Sequence, residues 1–287
     1  MDRALSPGDI AALIHLLGDE DRWVKEHART RLREAGVRAA PYLEDARSGD
    51  AEPAVRDESE SLLDDIRLDD LERDWVALQA VEEGVALREG AFLLERLIHP
   101  DRAGRQAAAR QDLDEIVSGA EMAVPVRASA AARFEALRIY IHETCGFRGN
   151  SDDYYDPENS FLSTVVAHRT GIPITLALVY LEIGRRIGVP IVGVGMPMHF
   201  LVARRTGASY RFVDPFYSGR EVSRGECLLL LERAGYEPAD GYLTPAPVVG
   251  ILERMARNLT VIYQHSALER ELRLARRFVT MLTGEVV

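Results

Sequence analysis

The sequence predicts an α+β protein that is predominantly helical and carries a small antiparallel sheet. Apolar residues recur at helical spacing through most of the chain. In the middle, an apolar helix at residues 176–187 is bounded by the turn Gly-Ile-Pro-Ile-Thr on one side and Gly-Val-Pro on the other. Two strand-like runs come next, and His199 follows the first while Asp214 ends the second. The order turn, helix, strand, strand predicts a small α+β core flanked by helices.

Residues 1–70 carry a weak internal repeat. An acidic turn leads into an amphipathic helix, which Gly36 separates from a shorter helix, and a second copy runs from about Gly49 to Ile66. The pair resembles HEAT-like repeats, whose helices need neighbours to bury their apolar faces. We expect this segment to pack on the following helices and to offer a protein-binding face, with a plain helical cap as the alternative.

Helices are also predicted on both sides of the central core, which spans residues 146–245. Residues 71–145 form a helical lead-in with breaks at Pro100 and Pro125, so that lead-in and core make one domain, 71–245. Residues 246–287 form a helical pair that resembles one TPR unit. Its arginines either form a solvated face or suit an acidic peptide. They are Arg254, Arg257, Arg270, Arg273, Arg276 and Arg277.

Five motif blocks in the central region carry a family resemblance. They are, in order, FRGN at 147–150, DYYDPENSFL at 153–162, GIPITL at 171–176, PMHFL at 197–201 and VDPF at 213–216. Together they resemble the SirB-type branch of the transglutaminase-like superfamily. The resemblance implies a transglutaminase-like, papain-like core with a TPR-like tail. It implies little about the reaction.

The pair His199 and Asp214 is the predicted centre of the site. A carboxylate at a strand end can orient an imidazole through one ring nitrogen and leave the other nitrogen free. We expect the two side chains to be in contact. The alternative for His199 is a histidine satisfied within the core. Met198 stands where the family usually has a small residue, and it is expected to narrow any cleft.

The resemblance leaves the nucleophile open. Transglutaminase-like enzymes have a cysteine at the start of the central helix, and this chain has none there. Thr175 is the only hydroxyl in that turn and is a candidate nucleophile, with helix capping as the alternative. Cys145 is a weaker candidate, about thirty positions upstream, with a structural role as the alternative. Cys227 lies in an apolar helical run and is expected to be buried and inert.

A polar loop precedes the central helix. The family pattern suggests that its residues either hold the turn before the helix or line the cleft. The candidates are Arg148, Asn150, Asp153, Tyr154, Tyr155, Asn159 and Ser160. The acidic stretch at 152–158 lacks the ligand alternation and the central glycine of an EF-hand loop. The seven histidines are dispersed, so neither a metal nor another cofactor is predicted.

The composition indicates the cellular compartment and the class of partner. A net charge of -11 argues against partners held by their negative charge, such as nucleic acid or an anionic membrane. Two cysteines in 287 residues make no disulfide framework, which is typical of a reducing compartment. The N-terminus lacks a basic and apolar signal segment. We therefore expect a cytoplasmic, soluble protein whose partner is another protein or a peptide, bound through the helical ends or the cleft.

Three functions are compatible with these observations. The missing cysteine and the flanking repeats favour an interaction or scaffold protein without catalysis. The first alternative is an acyl-transfer enzyme, an amidase, peptidase or transglutaminase, with His199 as base, Asp214 as its orienting group and Thr175 or Cys145 as nucleophile. The second alternative is a sensor of a small ligand or peptide, in which the tyrosine loop supplies recognition.

Overall fold

The computed structural model describes residues 5–207 and 209–285. The chain divides into two compact units, of which the first ends at Val76 and the second begins at Ala77. No helix in the described part of the chain is both long enough and apolar enough to cross a membrane.

The first unit is built of helices around an apolar core. Its helices are α1 (Pro7–His15), α2 (Arg22–Ala35), α3 (Ala40–Ser48) and α4 (Pro53–Leu78). α1 begins after Ser6, whose hydroxyl accepts from the amide of Asp9 while the Asp9 carboxylate accepts from the amide of Ser6. α2 begins after Asp21, whose carboxylate accepts from the amide of Trp23. Leucines from successive helices fill the core: Leu17, Leu32, Leu43 and Leu62.

The predicted second copy of the repeat is a single helix and not a helical pair. α4 continues for 26 residues because residues 54–78 contain neither glycine nor proline to end it. Ion pairs tie α2 to α4, since Arg29 Nη1 lies 2.8 Å from Glu58 Oε2 and Arg33 Nη2 lies 2.6 Å from Asp69 Oδ1. The HEAT-like assignment stays a prediction.

The second unit contains the remaining helices and both sheets. Its helices are α5 (Glu83–Ile98), α6 (Ala103–Ala123), α7 (Ala130–Ile139), α8 (Leu162–His168), α9 (Pro173–Arg186), α10 (Arg224–Arg233), α11 (Val248–His265) and α12 (Glu269–Thr283). Its strands are β1 (Arg148–Gly149), β2 (Thr170–Gly171), β3 (Val192–Met196), β4 (His199–Thr206), β5 (Ser209–Asp214) and β6 (Arg220–Val222). A π-helical turn, Tyr140–Thr144, follows α7.

The larger sheet is an antiparallel meander in the order β3-β4-β5-β6. Met196 pairs with His199 across the first hairpin, and Asp214 pairs with Arg220 across the last. β1 and β2 form a separate two-stranded parallel sheet. The start of β4 and the end of β5 lie side by side at the same end of the sheet, because the two strands run in opposite directions.

α9 is the central helix of the second unit. It packs against β4, α5, α6 and α8, and most of its side chains are buried, including Tyr180 and Glu182. A helix that is apolar nearly all round is expected at the centre of a domain. The predicted class, α+β and predominantly helical with a small antiparallel sheet, is confirmed. The domain boundaries given by the sequence stay predictions.

Candidate functional site

His199 and Asp214 meet at one end of the two central strands of the meander, β4 and β5. His199 is the first residue of β4 and Asp214 is the last residue of β5. His199 Nε2 lies 2.7 Å from Asp214 Oδ2. The side chain of His199 is 19% exposed, whereas that of Asp214 is 4% exposed. The histidine is thus the member of the pair that solvent or a ligand can reach.

The backbone after β5 fixes the carboxylate of Asp214. Its Oδ1 accepts from the amide of Phe216 at 3.0 Å and from that of Tyr217 at 3.3 Å, as in a turn closed by an aspartate side chain. This directs Oδ2 to Nε2 of His199. In the neutral ring, Nε2 then donates its proton to the carboxylate and Nδ1 is the acceptor. Nδ1 makes no hydrogen bond to any described residue.

The hydroxyl of Thr175 faces the backbone. Thr175 is fully buried in the first turn of α9. Its Oγ1 lies 2.7 Å from the carbonyl oxygen of Asn159 and 3.1 Å from that of Ile172, and it donates to them. No hydrogen bond joins Thr175 to His199 within the described chain. The hydroxyl therefore ties the start of α9 to the preceding loop.

No hydrogen bond joins either cysteine to His199 among the described residues. Cys145 follows the π-helical turn, and its amide donates to the carbonyl of Tyr140. Burial raises the pKa of the Cys145 thiol, so the thiol stays protonated near neutral pH. Cys227 lies in the core between the meander and α10, where burial raises its pKa to about 11. Both are free thiols.

Three residues of the polar loop hold one another. Asn150 Nδ2 donates to Asn159 Oδ1 at 3.0 Å, and Asn150 Oδ1 accepts from the amide of Asp153 at 3.2 Å. Asn159 Nδ2 donates to the carbonyl of Asp153 at 2.7 Å. Ser160 is buried, and its hydroxyl has no hydrogen-bond partner among the described residues. Arg148 lies in β1, with an exposed side chain.

Tyr154 and Tyr155 of the loop line the pocket, which is the second of the two roles considered for the loop. The ring of Tyr154 packs edge-on against Phe216, with centroids 5.6 Å apart, and edge-on against Tyr155 at 5.3 Å. Burial raises the pKa of the Tyr154 phenol. Both tyrosines line a pocket that also contains His199. The loop therefore has a structural part and a part that faces the pocket.

The pocket has a volume of about 390 Å³, within the usual range for ligand sites. The start of α9, the β3–β4 turn, the tyrosine loop and α11 surround it. Its lining consists of Tyr154, Tyr155, Ile172, Pro173, Ile174, Met198, His199, Phe200, Arg254, Asn258, Val261 and Ile262. The described lining contains no thiol, no aliphatic hydroxyl and no carboxylate. The part of the chain that the structure describes holds no group of three metal-ligating side chains.

Met198 occupies a backbone conformation that favours glycine. It is the second residue of the two-residue turn between β3 and β4 and has a φ of 63°. Proline followed by a residue with positive φ is typical of a type II turn, which prefers glycine at the second position. The Met198 side chain is 77% exposed. It stands at the rim of the pocket and leaves His199 accessible.

Sequence reasoning did not single out two residues near the pair. Arg254 was one of six arginines on the tail helices, and no local signal separates it from the others. His142 is half-buried in the π-helical turn, where its Nδ1 lies 2.6 Å from the carbonyl oxygen of Phe147. Burial lowers the pKa of His142, and the charge of Asp214 opposes that shift. A π-helical turn is often found at functional sites, but residue spacing alone did not reveal this one.

The chain is similar to several known proteins. A model of the transglutaminase-like superfamily matches residues 107–257, just over half of the chain. A UPF0162 protein of Xylella fastidiosa (strain Temecula1) is 37% identical over 163 residues, which cover 53% of this chain and 57% of that protein. A UPF0162 protein of Pseudomonas aeruginosa is 35% identical over 164 residues, covering 56% of this chain and 58% of its own length.

A human protein, F-box only protein 21, is 31% identical over 150 residues, covering 50% of this chain and 23% of that protein. No solved structure matches the chain. The chain spans about half the length of the UPF0162 relatives that it matches. The family match contains the His199–Asp214 pair, α9 and most of the pocket. The chain belongs to the transglutaminase-like superfamily.

Proposed function

We propose that this protein binds a segment of a partner protein in the pocket beside His199 and performs no acyl transfer on it. One observation carries the proposal: in the described lining, the pocket holds an oriented imidazole but no thiol or aliphatic hydroxyl for that imidazole to activate. Acyl transfer through a covalent intermediate requires such a nucleophile within hydrogen-bond reach of the base.

The two candidate nucleophiles fit structural roles better than catalysis. Thr175 is buried and donates to two backbone carbonyls, so its proton is directed away from any imidazole. Cys145 does not line the pocket, and the raised pKa of its thiol disfavours the thiolate. Acyl transfer remains the second candidate function, because His199 presents Nδ1 without a partner among the described residues.

The lining suits an extended peptide. Ile172, Phe200 and Ile262 supply apolar surface, and two tyrosines at the rim supply aromatic rings that carry a polar group. Binding pockets are lined mainly by hydrophobic and aromatic side chains. A small-ligand sensor would use the same surface, since the tyrosine loop has an open pocket beside it. The size and the open rim favour the peptide.

We also propose the finer family assignment, the SirB-type branch with a HEAT-like segment at 1–70 and a TPR-like tail at 246–287. The tail assignment is supported by α11 and α12, which pack against each other across a turn of three residues. Such helical pairs commonly bind peptides or proteins. Two free cysteines suit the reducing cytoplasm that we propose as the location.

A selection experiment tests peptide binding. A displayed library of random heptapeptides is selected on the immobilised protein, and the affinity of the selected peptide is measured by calorimetry. Val261→Trp fills the pocket from α11, and Val249→Trp makes the same change on the same helix outside the lining. We expect Val261→Trp to abolish most of the affinity and Val249→Trp to preserve it. Equal binding to both variants would contradict the proposal.

An activity assay tests the second candidate. The protein is incubated with a glutamine-containing protein and a fluorescent amine, and separately with fluorogenic peptide amides. We expect the signal to equal that of His199→Ala. Turnover that disappears in His199→Ala would establish catalysis, and the variants Thr175→Val and Cys145→Ala would then identify the nucleophile.

A further inference from the structure

Arg254 places a cation in the lining of the pocket. It lies on α11, is half-buried, and donates from Nη1 to the carbonyl of Met196 at 2.5 Å. Its guanidinium carbon lies 5.7 Å from the centroid of the Phe200 ring. The carbonyl and the ring hold the guanidinium in place while leaving the donors on Nε and Nη2 without a hydrogen bond to any described residue. Those donors are available to a ligand.

No carboxylate in the described chain pairs with Arg254. Burial lowers the pKa of this arginine, and the groups that oppose the shift are the phenols of Tyr154 and Tyr236. Taking a guanidinium partly out of water without a counter-ion is unfavourable. The chain has 46 acidic residues against 35 basic ones, so an arginine without an acidic partner is not explained by a shortage of carboxylates.

The rest of the described lining adds positive potential and contains no carboxylate. Ile172, Pro173 and Ile174 are the cap and first turn of α9, and no side chain caps this helix end. The amides of a first turn carry partial positive charge. Asp214 contacts His199 but is not part of the described lining, and its carboxylate oxygens are engaged by Nε2 and two backbone amides.

We propose that the peptide bound in this pocket presents a carboxylate, either its C-terminus or an Asp or Glu side chain, and that Arg254 anchors it. Arginine binds carboxylates through paired, charge-assisted hydrogen bonds. The apolar and aromatic lining then receives the neighbouring side chains of the peptide. This inference rests on the proposed function, because it assigns the chemistry of the segment that the pocket takes.

Two matched pairs of short peptides test the proposal. The first pair is N-acetyl-leucyl-leucine and its amide, which differ only in the terminal carboxylate. The second pair is N-acetyl-leucyl-aspartyl-leucine amide and the same peptide with asparagine, which differ only in the side chain. Binding is followed by NMR through the Nε–Hε resonance of Arg254. We expect the acid of at least one pair to bind about tenfold more tightly than its neutral twin, and the pair that discriminates identifies the source of the carboxylate.

Variants on one helix assign the effect. Arg254→Met is expected to abolish the preference for the acid, and Arg254→Lys, which keeps the charge, is expected to retain part of it. Arg257→Met is the control, because Arg257 lies on α11, pairs with Glu253 and does not line the pocket. For the variants, binding is followed through the backbone amide resonances of the pocket.

Equal binding of acids and neutral twins would overturn the carboxylate proposal and leave the peptide-binding proposal intact. A preference that survives in Arg254→Met would overturn the role of Arg254. If no peptide shifts any pocket resonance up to its solubility limit, the carboxylate proposal is rejected, and the heptapeptide selection then decides peptide binding separately. If the protein cleaves a peptide and His199→Ala does not, only the proposed absence of catalysis is overturned.

Discussion

The two ends of α9 differ in whether the charged side chains near them are paired. At the C-terminal end, the buried carboxylate of Glu182 accepts from Arg88 Nη1 at 2.7 Å and from Arg185 Nη2 at 3.1 Å. Arg186 Nη1 also lies 2.6 Å from Asp114 Oδ1. At the N-terminal end, no side chain caps the helix, and Arg254 across the pocket has no carboxylate partner among the described residues.

The charges around Glu182 stabilise the fold, whereas we propose that the charge of Arg254 binds a ligand. Cations near the C-terminus of a helix interact favourably with its dipole, and the network around Glu182 joins α5 to α9. Among the described residues, no carboxylate pairs with Arg254 at the other end. The arginines near the C-terminal end of α9 are paired with carboxylates. Against that background, the lack of a carboxylate partner for Arg254 among the described residues is informative.

The largest expected effect comes from breaking the paired end. Glu182→Gln removes the charge that Arg88 and Arg185 share, and the side chains of these arginines are only 22% and 23% exposed. We expect the free energy of unfolding, measured in urea, to fall by about 2–3 kcal/mol, below the loss for a fully buried pair because both arginines reach solvent. Glu82→Gln is the control, since this partner of Arg185 is 62% exposed.

The control is expected to cost less than about 1 kcal/mol. If Glu82→Gln destabilised the protein as much as Glu182→Gln, burial would not be what makes the network at this end of α9 important.

An intermediate effect is expected at the unpaired end. Thr175→Val removes the hydroxyl that bonds the carbonyls of Asn159 and Ile172 in the buried first turn. The expected loss in the free energy of unfolding is about 1–2 kcal/mol. In Thr244→Val, the lost hydroxyl bonds the carbonyl of Gly241 at an exposed position, and we expect a loss within about 0.5 kcal/mol. Equal losses would show that the Thr175 hydroxyl does not stabilise the start of α9.

The smallest effect, with the opposite sign, is expected at the rim of the pocket. Met198→Gly relieves the positive φ and removes a side chain that is mostly exposed, so the protein should gain about 0.5–1 kcal/mol of stability. Met122→Gly, at an exposed position in α6, should instead lose up to about 1 kcal/mol. Thermal unfolding of both variants checks the signs. A loss in Met198→Gly would mean that the methionine makes contacts worth more than the strain of its backbone.

Local patterns predicted much of this protein. Proline and glycine bounded α9, and apolar spacing predicted the helical pair within residues 246–287 that α11 and α12 form. The sequence also predicted that His199 and Asp214 meet, and 2.7 Å separates their atoms. The two residues meet because β4 and β5 are antiparallel neighbours, so that the start of β4 lies beside the end of β5. Local patterns did not predict that one helix, α4, replaces the second helical pair.

The amino-acid sequence by itself determined most of the helices, the turns that bound α9, the order of the motif blocks and the absence of a cysteine before α9. These depend on interactions within a few residues. Only the tertiary structure decided that the Thr175 hydroxyl faces a backbone carbonyl 16 positions away, and that Arg254 alone among the tail arginines lines the pocket. Such outcomes depend on which distant groups packing brings together, and burial then sets the cost of every charge left without a partner.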